Sequence, residues 1–317
     1  MPSKVKTMLN VFSSLKSFFI SKAILVSCVF IKKLSFPAVK FLRFFLSLMN
    51  IFYFFPLKIS HKKISLFSIK AEVIKNKEKS SPLVILYFHG GGFLMGLNWI
   101  HRRFISSLAQ KVHATYYLID YPLLPEAPFP LALDECLQFY EAIIQINNFA
   151  ASQIVFIGDS AGGNLALSTL ISLRNNNKVL PSGAILLSPW TDLTLSGCSL
   201  ELNKAVDPII PGHLLSPLVK AYTNNKVDAT NPLVSPLLAD LSGLPPILVQ
   251  VGKREVLFDD SKRLADKLAN SDVKVKLEVM DEGYHIHPVL FPECPKSKAV
   301  LIIIEKFIWE VSRNIAC

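Results

Sequence analysis

A chain of 317 residues, 51% hydrophobic and only 18% charged, can bury a large core, which excludes a disordered protein and suits one α/β enzyme domain carrying a substrate-covering cap. The formal charge of +10 raises nucleic acid as a partner, but much of the excess lies in the first 63 residues among Phe, Leu and Ile, a mixture that fits an anionic membrane surface instead. The five cysteines (Cys28, Cys136, Cys198, Cys294, Cys317) are odd in number and widely spaced, which argues against a disulfide framework and for reduced thiols in a cytoplasmic protein, peripheral to the inner membrane if the N-terminus binds lipid.

Residues 1–63 stand apart. Phe18 to Ile31 is a 14-residue apolar stretch interrupted by Lys22, and Phe41 to Leu57 is another, interrupted by Arg43 and closed by Pro56. Both fall short of the ~20 apolar residues of a confident span. With Lys32, Lys33, Lys40, Lys58, Lys62 and Lys63 at their margins, they read as interfacial helices with snorkelling lysines, the alternative being a soluble cap over the site. Leu25-Val26-Ser27-Cys28 looks like a lipoprotein cleavage box, but Lys22 breaks the apolar core and no polar tether follows.

From Ile64 onward the chain is expected to alternate strands and helices. Val84–Phe88, Thr115–Ile119, Ile154–Ile157, Ala184–Leu187, Ile247–Val251 and Val273–Val279 are apolar runs of the kind found in parallel strands covered on both faces. Leu131–Ile146, Ala161–Arg174, Asp259–Ala269 and Lys296–Ser312 carry helical spacing, so the βαβ order predicts an α/β fold with a mostly parallel, doubly wound sheet. Between Thr191 and Gly243 there is no clear strand but there are five prolines (Pro208, Pro211, Pro217, Pro232, Pro236) and some amphipathic helix. This segment is expected to be a helical cap insertion of about 191–243 above the carboxyl edge of the sheet, within a catalytic domain of 64–317.

The chemistry concentrates where strands end. Ile154-Val155-Phe156-Ile157 runs into Gly158-Asp159-Ser160-Ala161-Gly162-Gly163-Asn164 and then an apolar helix, which is G-x-S-x-G in the strand–turn–helix setting that lifts a serine hydroxyl above a sheet. An N-capping serine in a glycine turn is the blander alternative. Val84–Phe88 likewise ends in His89-Gly90-Gly91-Gly92, whose amide groups lie open to a substrate oxygen as an oxyanion hole requires. A flexible turn does not explain that position, and a phosphate loop lacks G-K-[ST] or G-x-G-x-x-G. Metal chemistry has no support, because His61, His101, His113 and His213 show no H-E-x-x-H spacing; neither metal nor cofactor is expected.

These blocks, with Tyr121–Pro130, Ser188-Pro189-Trp190-Thr191-Asp192-Leu193 and Gln250–Ser261, resemble in kind and order the bacterial hormone-sensitive-lipase family of esterases, from about Val84 to the C-terminus. The resemblance implies the α/β-hydrolase fold, a cap and a triad in the order Ser, acid, His. The base falls on His285 in His285-Ile286-His287-Pro288, with His287 the alternative. The acid falls on Glu255 in Glu255-Val256-Leu257; the following Asp259 and Asp260 would cap the next helix, and Arg254, where relatives often carry Asp, leaves the register open. Gly91, Gly92 and Ala161 would supply the oxyanion amides. Trp190, Asp192, Tyr121, Pro125 and Glu126 read as scaffold, and Asp159 as helix-start charge or a tuner of the elbow.

The expected activity is a serine carboxylesterase for short- to medium-chain esters acting through an acyl-enzyme, on a small-molecule ester or lipid. Two alternatives stand beside it: a membrane-associated deacetylase or acylglycerol lipase, and a ligand-binding protein on the same fold resembling plant gibberellin receptors, which lack the catalytic histidine.

Overall fold

The computed structural model describes Arg43, Phe44, Tyr53 and residues 55–312 except 148. The apolar stretch from Phe18 to Ile31 and most of that from Phe41 to Leu57 lie outside the described residues. Eight strands form one sheet in the order β1-β2-β4-β3-β5-β6-β7-β8: β1 (Ile59–Leu66), β2 (Ile69–Asn76), β3 (Val84–Phe88), β4 (Thr115–Ile119), β5 (Ile154–Asp159), β6 (Gly183–Leu187), β7 (Ile247–Gly252) and β8 (Val275–Met280). The β1–β2 and β2–β4 pairs are antiparallel and all others parallel.

The parallel strands alternate their side chains between two covered faces. Leu86, Phe88, Phe156 and Leu186 join Phe139 and Tyr140 of α2 (Leu131–Asn147), Leu165 and Leu170 of α3 (Ala161–Asn175) and Leu264 of the helix Phe258–Asn270 on one face. Ile85, Tyr87, Ile157 and Leu187 face Phe104 and Leu108 of α1 (Trp99–Ala109) and Ile304 and Phe307 of the C-terminal helix Pro295–Val311 on the other. Burying each such side chain contributes about 1.5–3 kcal/mol, so apolar residues at both strand parities demand helices on both sides.

Two elements depart from the sequence reading. The domain boundary after residue 63 falls inside β1, so the sheet begins at Ile59 and residues 59–63 are strand rather than helix. The hairpin was hidden because its turn is Phe67-Ser68, both at positive φ (47° and 71°), a conformation that Asn-Gly usually announces. The second is α1, whose Asn98 cap accepts Ile100 N–H while His101 accepts the Asn98 N–H, a reciprocal cap that closes the helix start.

Between β6 and β7 the chain forms the short helix α4 (Ser199–Leu202), then α5 (Leu215–Thr223), joined by 3₁₀ turns and coil. The helices after β7 are α6 (Phe258–Asn270), α7 (His287–Leu290) and α8 (Pro295–Val311).

Candidate active site

Ser160 follows β5 at φ 52° and ψ −120°, a strained turn held by its own N–H donating to Leu187 O at 2.9 Å and its carbonyl accepting from Trp190 N at 3.1 Å. The turn lies tight against β3: a Cβ on Gly162 would run into the carbonyl oxygens of Phe88 and His89. This close approach brings the G-x-S-x-G elbow beside the His89–Gly92 loop, two motifs separated in sequence by some seventy residues.

His285, after β8, reaches Ser160 Oγ through Nε2 at 2.9 Å, and its Nδ1 lies 2.9 Å from Glu255 Oε2 after β7. All three side chains are buried. With Nδ1 donating to the carboxylate, Nε2 faces the serine hydroxyl as an acceptor, which is the arrangement a general base needs. Burial pulls the His285 ring down, but the hydrogen bond and charge of Glu255, with the carboxylates of Asp207 and Asp159 farther off, outweigh it and hold the ring above its usual value. His287 instead approaches Cys294 Sγ at 3.5 Å, and burial lowers its ring.

Glu255 is fixed from several directions. Its Oε1 accepts from Ser188 Oγ at 2.7 Å and from Gly252 N–H. Its carbonyl accepts from Asn203 at 2.7 Å, and Asp207 accepts the N–H of the next residue, Val256, at 2.9 Å. Asn203 and Asp207 belong to the segment between β6 and β7, so that segment braces the acid loop; nothing local in either stretch announced it.

On the other side, Gly91 (φ 115°) and Gly92 (φ 62°) turn the loop back on itself. Among the described residues, no carbonyl or side chain takes the amides of Gly91, Gly92 or Ala161. The loop is anchored by Asp159: its Oδ1 accepts Gly90 N–H at 2.9 Å and Tyr87 O–H at 2.5 Å. Complete burial lifts Asp159 to about 6 against the pull of these donors. Asp159 therefore ties β3 to β5 and does more than complement a helix start. Tyr121 also serves the loop, donating to His89 O at 2.5 Å and stacking on the His89 ring at 4.1 Å. His89 Nδ1 donates to Gly90 O at 2.8 Å, and burial keeps the ring below its ordinary value.

Asp259 and Asp260 do not cap their own helix. Asp260 accepts the N–H groups of Thr191 and Asp192 at 2.8 Å each, and Asp259 accepts Ser199 N–H at 2.8 Å, so both fasten the segment after β6 onto α6. Asp192 pairs with Arg263 at 2.8 Å. Trp190 is buried against Phe93, which stacks on Tyr222 of α5 at 3.9 Å, and a Cβ on Gly92 would lie 3.0 Å from Leu218 of the same helix. Glu126 pairs with Arg43 at 2.9 Å. Among the described residues, no group of three or more His, Cys, Asp or Glu side chains is arranged to hold a metal ion.

A family model described as the alpha/beta hydrolase fold matches residues 85–288. The chain is 37% identical over 241 residues to an esterase of Acinetobacter venetianus, covering 75% of this chain and 79% of that protein. It is 32% identical over 224 residues to an acetyl-hydrolase of Streptomyces hygroscopicus, with 71% and 74% covered. Among solved structures, an esterase from the bacterial hormone-sensitive lipase family superposes with a TM-score of 0.84 at 30% identity, covering 92% of this chain and 98% of that one.

Proposed function

The chain belongs to the α/β-hydrolase family, among the bacterial hormone-sensitive-lipase esterases, and is a carboxylic ester hydrolase; from that premise we propose that it works as a serine carboxylesterase with Ser160, His285 and Glu255 as its triad. The observation that carries this reading is the unbroken line from Ser160 Oγ through the His285 ring to Glu255, with both contacts at 2.9 Å.

His285 Nε2 takes the Ser160 proton as Oγ attacks the ester carbonyl, and Glu255 holds the ring and balances the imidazolium charge. The amides of Gly91, Gly92 and Ala161 receive the oxyanion, each donor being worth ~3–4 kcal/mol in transition-state stabilisation. His285 then protonates the leaving alcohol. Water, deprotonated by the same ring, releases the acid from the acyl-enzyme.

The substrate class proposed is esters of short to medium acyl chains. Leu218, Tyr222, Phe93 and Trp190 crowd the oxyanion loop with apolar surface that favours a compact acyl group, and one relative is named an acetyl-hydrolase. Hydrolysis of p-nitrophenyl esters of graded chain length by the parent and Ser160→Ala tests both parts. The variant is expected to lose at least 10³-fold in kcat and all labelling by a fluorophosphonate. A variant that hydrolyses like its parent ends the serine mechanism, and a preference for long chains ends the substrate assignment.

A further inference from the structure

Ser188 directly follows β6 and is fully buried between the loops that carry the acid and the base. Its hydroxyl donates to Glu255 Oε1 at 2.7 Å and accepts the N–H of Ile286, the residue after His285, at 3.0 Å. One oxygen therefore touches the proposed triad acid on one side and the backbone of the proposed base on the other. The circuit closes through His285 itself, whose Nδ1 meets the second oxygen of the same carboxylate.

The backbone at both ends of this bridge is strained. Ser188 has φ 47°, and Ile286 has φ 48° and ψ 35°. A β-branched residue in the left-handed region is an outlier that persists only where its surroundings hold it. Ile286 N–H reaches the Ser188 hydroxyl, and at the very next residue the chain begins α7, so this bond fixes the direction in which His285 leaves β8. The carboxylate is likewise held in one rotamer: Oε1 is taken by Ser188 and Gly252, leaving Oε2 for the imidazole.

We propose that Ser188 is a positioning residue of the hydrolytic site, whose hydroxyl keeps Glu255 and His285 in mutual register. The inference rests on the triad reading above. It places a fourth side chain under the triad, one that contacts neither substrate nor the reacting atoms and acts only through Glu255 and the His285–Ile286 backbone.

The test compares Ser188→Ala, Ser188→Gly and Ser160→Ala in one esterase assay, with cooperative thermal melts as the folding control. Glycine relieves the positive φ and alanine does not, so the pair separates hydroxyl from turn geometry. Both Ser188 variants are expected to lose about 10- to 100-fold in kcat with KM within about twofold, as a small misplacement of a catalytic group does. The acid limb of their kcat/KM profile should move to lower pH as the Glu255–His285 contact loosens, and the downfield proton resonance of the His285 Nδ1–H should broaden or shift upfield. If Ser188→Gly does not melt cooperatively, Ser188→Cys, which keeps the shape and weakens the donor, is measured in its place and should show the same changes at smaller size. A glycine or cysteine variant with parental kcat and an unmoved acid limb overturns the inference while leaving the triad intact. Activity in Ser160→Ala instead overturns the reading beneath it.

Discussion

At the scale of single residues, the proposed site is governed by groups that are buried and hydrogen-bonded at once. His285 must be neutral to accept the Ser160 proton, and Glu255 holds its ring above the usual histidine value, so activity should fall as pH drops through a point above 6.5. Glu255→Gln removes the charge that raises the ring. It is expected to move that inflection downward and to lower kcat by about 10³- to 10⁴-fold, read from the pH dependence of kcat/KM. Asp159 tests the other wall. The amide of Asp159→Asn can still accept from Tyr87 and Gly90, but it puts an NH2 at the buried Oδ2 position, which is 4.0 Å from His101 Nε2. His101 Nδ1 accepts Asn98 N–H, so Nε2 carries the proton and two donors would face each other. The variant should lose about 1–3 kcal/mol of stability, measured by urea denaturation, together with activity as the oxyanion loop shifts.

At the scale of elements, ion pairs and carboxyls pin secondary structure together far from the serine. Glu72 on β2 makes a two-pronged pair with Arg102 of α1 at 2.6 and 2.7 Å and accepts from His61 of β1 at 2.8 Å. Burial pushes the Glu72 carboxyl up, but these donors outweigh it and hold it at about 2. Its contribution is thus complete above the ordinary carboxyl range and is lost as pH falls from about 4.5 through 2. Glu72→Gln strands the Arg102 charge and should cost about 3–5 kcal/mol in denaturant melts at neutral pH. Asp260 has the opposite sign. Burial raises it to about 7 despite two backbone donors, so stability held in its protonated form drains as pH rises from about 4 through 7. Asp260→Asn keeps an acceptor for those donors without the charge. The difference in Tm between variant and parent should therefore move steadily in the variant's favour over that range, and a constant difference would sink the assignment.

At the scale of the whole molecule, a single described N-terminal arginine connects distant parts of the chain. Arg43 donates to Leu94 O at 3.0 Å, to Leu124 O and to the Glu126 carboxylate, joining the loop after Gly92 to the turn before α2. The pair is half-exposed, so Arg43→Ala is expected to lower Tm by only a few degrees. Its effect on activity should be larger than its effect on stability, because Leu94 follows the oxyanion loop by two residues. No helix among the described residues is long and apolar enough to cross a membrane. Membrane association through residues 1–63 is a separate proposal, checked by vesicle flotation of the full chain beside one lacking residues 1–54.

The parallel sheet and the two loops that carry the proposed nucleophile and oxyanion amides are legible in the residues alone. Both are local: an apolar run of five or six residues followed by glycines is a strand feeding a tight turn, whatever lies across from it. The order and spacing of blocks resembling a known family also pointed to His285 and Glu255, the pair that the fold brings to Ser160. Tertiary structure alone decided what holds those residues. The Ser188 bridge, the Asp159 clasp, the Asn203 and Asp207 brace and the Asp260 tie each join positions 49 to 98 residues apart, and contacts set by sheet order leave no trace in a neighbouring residue. The β1–β2 hairpin escaped for a related reason: its lysine-rich edge and Phe-Ser turn carry no local signal, and pairing with β4 is what makes them strands.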